Sequence, residues 1–214
     1  MISLLMQGHW MVFVMILFAL TLSLTFHEYG HAVVARWFGD RTAERAGRLT
    51  LNPLVHIDPM GLLMVILVGF GYAKPVPTDP RNYRSFWGNF FVAAAGPMMN
   101  LLIAFVTMNL YALGLKLQVP LFDTDAAYFL FGFVATINLL LMLFNLLPIG
   151  ALDGHYLLPY FLPRPLARAY VAWNDRYGNY LLLGLIVLAI MGVPVFSTLF
   201  DWSQRLTAAL IIIS

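Results

Sequence analysis

His27 and His31 stand one helical turn apart with Glu28 between them, in a chain that has no Asp, Glu, Lys or Arg from Met1 to Phe26. Residues four apart share a helix face, so each histidine can turn a ring nitrogen toward one ion. The H-E-x-x-H pattern is that of two zinc ligands and a general base. A catalytic zinc takes three protein ligands and keeps one position for water, so a third ligand is required. Glu28 would take a proton from that water, whose pKa zinc lowers to about 7, and pass it to a leaving amine. His9 lies at the far end of the same predicted helix, and His56 stands just before a short apolar stretch. Asp153, in FNLLPIGALDGH (144–155), is the better-placed third ligand. Pro148 and Gly150 break a helix there, and Gly154 frees the backbone after the carboxylate. His155 offers a competing nitrogen.

The rest of the chain makes three ionisable groups at this place costly. Of its 214 residues, 61% are hydrophobic and 10% charged, against about a quarter charged in a soluble domain. Mean hydropathy is +0.82. The uncharged or nearly uncharged runs 1–27, 85–115, 126–152 and 177–200 are each long enough to cross a hydrocarbon core, which takes about 20 apolar residues. An integral membrane protein is expected, multi-pass and in a prokaryotic cell membrane. At about 1.5 Å per residue, His27 lies roughly 13 Å along the axis from Arg36, well inside the apolar layer if Arg36 marks its edge. Ionisable groups at such depth mark function by default. The first run lacks the basic start of a cleavable signal peptide. The net charge of +2 gives no reason to expect a nucleic-acid partner. The chain has no cysteine, hence no disulfide and no thiolate ligand.

The expected fold is an all-α polytopic membrane protein, with helices over about 10–38, 85–115 and 127–147. Arg36, Arg41, Arg45 and Arg48 follow the first helix, and nothing basic precedes it, which sets its C-terminal end in the cytoplasm. The apolar stretch Pro59–Ala73 is too short to span and has basic residues on both sides, so it reads as part of a re-entrant segment over about 52–77. Such a backbone is tolerated at membrane depth only where protein or a wet cavity covers it. The third helix returns to Pro148 and Asp153, so His27, His31 and Asp153 all fall toward the cytoplasmic half. Beyond it, 166–177 reads as an interfacial helix, 179–194 as a fourth helix, and 196–214 as either an interfacial helix or a final hydrophobic element. Residues 1–155 are read as one core and 156–214 as C-terminal helices. Asn145, two turns before Asp153, reads equally as a substrate contact and as a helix–helix hydrogen bond. Asn100 reads first as a packing residue. His56 and Asp58 either orient a histidine ligand or cap the segment at Pro59.

Taken together, HEYGH (27–31), GRLTLNPLVHIDPMG (47–61), FGYAKPVP (70–77), GPMMN (96–100) and NLLPIGALDGH (145–155) resemble the site-2 protease family of intramembrane zinc metalloproteases. The order of the pieces is the family's, over about Thr25 to His155. The resemblance implies zinc held by His27, His31 and Asp153 with Glu28 as catalytic base, a three-helix metalloprotease core, and cleavage of a transmembrane-helix protein substrate in the bilayer. It also implies a re-entrant feature beside the active site, and a minimal member without PDZ or CBS domain. Two positions depart from the family's pattern: Gly150 stands where a second proline is common, and His155 where a second glycine is common. The rival reading is a metal-binding membrane protein that cuts nothing, either a transporter or an inactive helix-binding relative. A transporter would string ligands through both membrane halves, and an inactive relative would have lost Glu28 or a ligand.

Overall fold

A computed structural model describes residues 5–68 and 71–213. Gly69 and Phe70, within the predicted re-entrant span, and Ser214, at the end of the tail, lie outside the described residues. The chain forms two compact units, Met1–Gly88 and Asn89–Ser214. Among the described residues all regular structure is helical, apart from one isolated antiparallel bridge.

In the first unit, α1 (Trp10–Trp37) is followed by the single turn α2 (Thr42–Arg45) and by α3 (Pro59–Val68). The buried residues of α1 are small or polar: Ala19, Ser23, Thr25, His27, Glu28, Gly30, Ala32 and Ala35. Small residues let neighbouring backbone approach closely, as membrane helices require. Ser23 and Thr25 return their hydroxyls to the carbonyls of Ala19 and Thr21, at 2.6 and 2.7 Å, so neither leaves an unpaired donor. Met11, Val14 and Phe18 are exposed.

The predicted re-entrant segment is a hairpin with one helical and one extended leg. Asp58 caps α3 by accepting from the N–H groups of Met60 and Gly61, each at 2.9 Å. The chain comes back beside it through the Ile57–Ala73 bridge, with Lys74 N–H on His56 O at 2.9 Å. Gly61 permits this return, because a Cβ there would overlap the Tyr72 carbonyl.

The base of the hairpin is tied to the end of α1 by Asp40, which is fully buried. Its carboxylate accepts from Thr42 N–H (3.0 Å) and the Thr42 hydroxyl, from Asp79 N–H (2.7 Å) and from Asn82 Nδ2 (3.0 Å). Arg84 N–H adds a bond to Phe38 O at 2.8 Å.

The second unit contains α4 (Gly88–Lys116) and α5 (Asp125–Asn145). Ala104 and Met108 of α4 bury against Ala135, Leu139 and Met142 of α5. Met98, Leu102, Val106 and Leu110 of α4, four residues apart, are exposed instead, an apolar stripe suited to lipid. Asn100 Nδ2 donates to Asn138 Oδ1 at 2.9 Å with both residues buried, a bond between α4 and α5. Among the described residues three helices, α1, α4 and α5, are long and apolar enough to cross a membrane.

The turn α6 (Asp153–Leu157), α7 (Arg164–Trp173), α8 (Asn179–Ile190) and α9 (Ser197–Ala209) complete the unit. The predicted interfacial helix starts at Arg164, and a π turn, Asn174–Gly178, separates it from α8. The ambiguous tail resolves into a helix packed on α5, through Thr207 and Thr136 hydroxyls 3.1 Å apart. Asn109 of α4 holds the end of that tail, donating to Leu210 O (2.9 Å) and accepting from Ile212 N–H (3.0 Å).

Burial works to raise the Asp40 pKa, but the bonds from Thr42, Asp79 and Asn82 outweigh it and hold the carboxyl below its ordinary value. The folded pKa is depressed, so this stabilisation is complete above the unfolded value of about 3.9 and fades as pH falls through the lower folded value. Asp40→Asn turns an amide N–H toward a donor, and should cost about 1–3 kcal/mol. The expected outcome is a lower melting temperature in detergent at pH 7, a difference that shrinks toward pH 3, and faster proteolysis between Thr78 and Asn82.

Candidate metal and catalytic centre

On α1 the rings of His27 and His31 meet edge to face, with centroids 4.7 Å apart and an interplanar angle of 82°. Their Nε2 atoms approach to 3.1 Å. Two nitrogens bound to one tetrahedral zinc at about 2.0–2.1 Å lie about 3.3–3.4 Å from each other. The pair is therefore within a few tenths of an ångström of the separation such an ion imposes, and both nitrogens are of the type it binds. His27 is buried, and so is Glu28. Glu28 Oε2 accepts a hydrogen bond from the backbone N–H of Val76 at 2.7 Å. The extended leg of the hairpin thus reaches the carboxylate that the sequence marks as the base.

His56 is a strut of the same hairpin. Its Nε2 lies 2.8 Å from Thr50 O and its Nδ1 3.5 Å from Arg48 Nη2, and Arg48 Nη2 also donates to Lys74 O. The imidazole and guanidinium together hold the loop before α3 to the leg after it. Of the two residues expected either to orient a histidine ligand or to cap the segment at Pro59, Asp58 accepts from the first amides of α3.

Asp153 belongs to the second unit, as the first residue of α6. The loop that delivers it, Leu146–Leu152, is secured by side chains from α7 and the π turn. Asn174, 3% exposed, bonds both backbone groups of Gly150: Gly150 N–H donates to Asn174 Oδ1 at 2.8 Å, and Asn174 Nδ2 donates to Gly150 O at 2.9 Å. The Tyr170 hydroxyl donates to Pro148 O at 2.9 Å. Gly150 takes φ +60°, a left-handed conformation open to glycine and closed to the proline common at this place. A Cβ at Gly178 would collide with Asn174 Oδ1 and Gly150 N, so the π turn and the loop pack through glycine. His155 turns Nδ1 to the Tyr170 hydroxyl at 3.3 Å and Nε2 toward Asp175 Oδ1 at 3.9 Å. Burial lowers its pKa, with Asp175 opposing. Asn145 Nδ2 donates to Leu141 O of its own helix at 2.9 Å.

Residues 15–122 match the model of peptidase family M50. The protein named "Putative zinc metalloprotease YwhC" of Bacillus subtilis (strain 168) is 39% identical over 173 residues, 78% of each chain. The chain belongs to peptidase family M50. The "Putative zinc metalloprotease Rip2" of Mycobacterium tuberculosis (strain ATCC 25618 / H37Rv) is 32% identical over 211 residues, 92% of this chain and 78% of that one. Rip2 of Mycolicibacterium smegmatis is 33% identical over 151 residues, 67% of this chain and 56% of its own. No solved structure matches. With three helices fit to span a bilayer, this M50 chain is a membrane protein.

The sequence marked the candidate centre by its ionisable residues and passed over the groups that bond to Glu28 and to the loop before Asp153. Val76 contributes only a backbone N–H, and the signal for it was the pair of prolines around it. Tyr170 and Asn174 left no trace in periodicity or motif, because each is polar in a segment read as interfacial. Asn174→Ala strips partners from both backbone groups of Gly150, and should cost about 2–4 kcal/mol, taking roughly 1–2 kcal/mol for each unpaired buried group. Thermal unfolding in detergent measures this, with Arg164→Ala on the exposed side of α7 expected to stay within about 0.5 kcal/mol of wild type.

Proposed function

We propose that this M50 chain is an intramembrane zinc metalloendopeptidase, hydrolysing a peptide bond in a transmembrane-helix protein substrate. The observation that carries the reading is the approach of two histidine nitrogens to 3.1 Å on a helix whose next residue, Glu28, is a buried carboxylate. His27, His31 and Asp153 would hold the metal. When bound, zinc supplies Lewis acidity, polarising the scissile carbonyl and making water nucleophilic near neutral pH.

The remaining chemistry falls to the chain. Glu28 takes the proton of the attacking water and returns it to the leaving amine, one group acting first as base and then as acid. Its burial keeps bulk water from competing for that proton. A helical substrate hides its carbonyls in i to i−4 bonds, so the substrate must be drawn out before attack. The extended leg after Gly71 offers backbone groups for pairing with such a strand. Residues 1–155 would form the protease core, with the hairpin re-entrant in the bilayer and 156–214 bracing the loop before Asp153. Asn145, His56 and Asn100 would support the substrate or the ligands from their places in the helices and hairpin. The chain would cross a prokaryotic cell membrane several times, with its centre toward the cytoplasmic half, where positive residues gather after α1.

The deciding experiment is cleavage of a labelled single-span substrate by purified protein in detergent. Wild type should cut and fall silent with a chelator. Glu28→Gln should lose a factor of about 10²–10⁴ in rate while retaining the metal, and His27→Ala should lose both metal and activity. Zinc binding without cleavage across a panel of single-span substrates would favour a metal-binding protein that cuts nothing.

A further inference from the structure

The Glu28–Val76 bond sits in an unusual stretch of backbone. Val76 lies between Pro75 and Pro77, and proline has no N–H. From Lys74 to Thr78 the backbone therefore holds three donors, on Lys74, Val76 and Thr78. The Lys74 N–H is spent on His56 O. The Val76 N–H is directed at Glu28 Oε2, 2.7 Å away. Each proline also steers the residue before it to extended backbone, so Lys74 and Val76 are both held out of helical conformation. The two legs of this arrangement are themselves fixed, at one end by Arg48 and His56 on Lys74 and Thr50, at the other by Asp40 on Asp79.

We propose that the Val76 N–H is the positioning group of the catalytic base, and that the Pro-Val-Pro sequence exists to aim one donor at Glu28 and supply no other. The bond fixes the rotamer of the carboxylate by engaging Oε2. Oε1 is then the oxygen that receives and returns the proton. A glutamate side chain has three rotatable bonds, and a base that must lie within hydrogen-bond reach of one water gains from having them frozen beforehand. The role belongs to the peptide group and not to the valine side chain. This inference rests on the proposed protease function for its kinetic consequence, but the contact itself can be read without activity.

Two measurements test it. The first is amide hydrogen exchange in peptides covering 74–78, which carry only three exchangeable backbone amides in that window, with fragmentation resolving each. Val76 should be protected in wild type and in Glu28→Gln, which keeps an acceptor oxygen. Protection at Val76 should drop at least about tenfold in Glu28→Ala, the loss of one charge-assisted bond, with Lys74 unchanged. Equal exchange at Val76 in all three proteins overturns the proposal, even if the protein proves not to be a protease.

The second compares Val76→Pro, which deletes the N–H where backbone is already extended, with Val76→Ala, which restores it. Val76→Pro should lower kcat by about tenfold or more with KM and bound zinc unchanged, and Val76→Ala should recover most of kcat. An ester in place of the Pro75–Val76 amide removes the same hydrogen with the valine side chain kept, and should act like Val76→Pro should that variant fold poorly. If alanine falls as far as proline, or the ester keeps full kcat, side-chain packing is the cause and the proposal is wrong. A wild type without activity against any substrate, alongside Val76 protection that depends on position 28, refutes the protease reading and leaves the contact standing.

Discussion

A backbone N–H or C=O left without a partner in hydrocarbon costs several kcal/mol, and this chain departs from helical backbone in the hairpin beside Glu28 and in the loop before Asp153. A side chain meets each departure. Asp58 covers the first amides of α3, and His56 and Arg48 take the carbonyls of Thr50 and Lys74. Glu28 takes the amide of Val76. Asn174 takes both groups of Gly150, and Asn109 takes the carbonyl of Leu210 and the amide of Ile212. In a soluble protein water could satisfy most of these groups. Here the polar side chains do that work, which is why a chain only 10% charged keeps so many of its polar groups buried.

The same constraint shapes the candidate centre. A buried carboxylate is unfavourable unless hydrogen-bonded, and the hairpin needs an acceptor for the one donor in its Pro-Val-Pro stretch. Glu28 and Val76 answer each other's need. One bond therefore closes the hairpin onto α1 and holds the Glu28 carboxylate, so a change in either partner disturbs both. His27 and His31 differ in kind: their positions follow from helical spacing alone, so their convergence needs no support from the hairpin.

That difference explains what could be read from sequence. The three long helices were legible to within a few residues, because runs of apolar residues of bilayer length allow little else. His27, Glu28 and His31 were legible because ionisable residues in such a run are conspicuous. The hairpin was legible as a short apolar stretch between basic flanks, yet its two unlike legs were not, since Gly61 and Gly71 mark close approach without saying to what. Asn174 and Tyr170 were hidden, because their role is set by a loop some twenty residues earlier in the chain, and no local pattern records a partner at that distance. The π turn was equally silent: Asn174 and Gly178 fit an ordinary helix by composition.

Gly150 shows how the two levels meet. A proline at this position would stiffen the loop before Asp153 from within, by fixing φ near −65° and removing an N–H. Glycine gives up that stiffness and takes φ +60°, and it restores to the backbone the N–H that proline lacks, beside a C=O that either residue would carry. Asn174 uses both, so the order that proline would supply covalently is supplied by a carboxamide from the π turn. Gly178, too close to Asn174 for any side chain, completes the exchange. A departure at one residue of the loop is thus accompanied by two specific residues beyond residue 155, and through them the C-terminal helices brace the segment that carries Asp153.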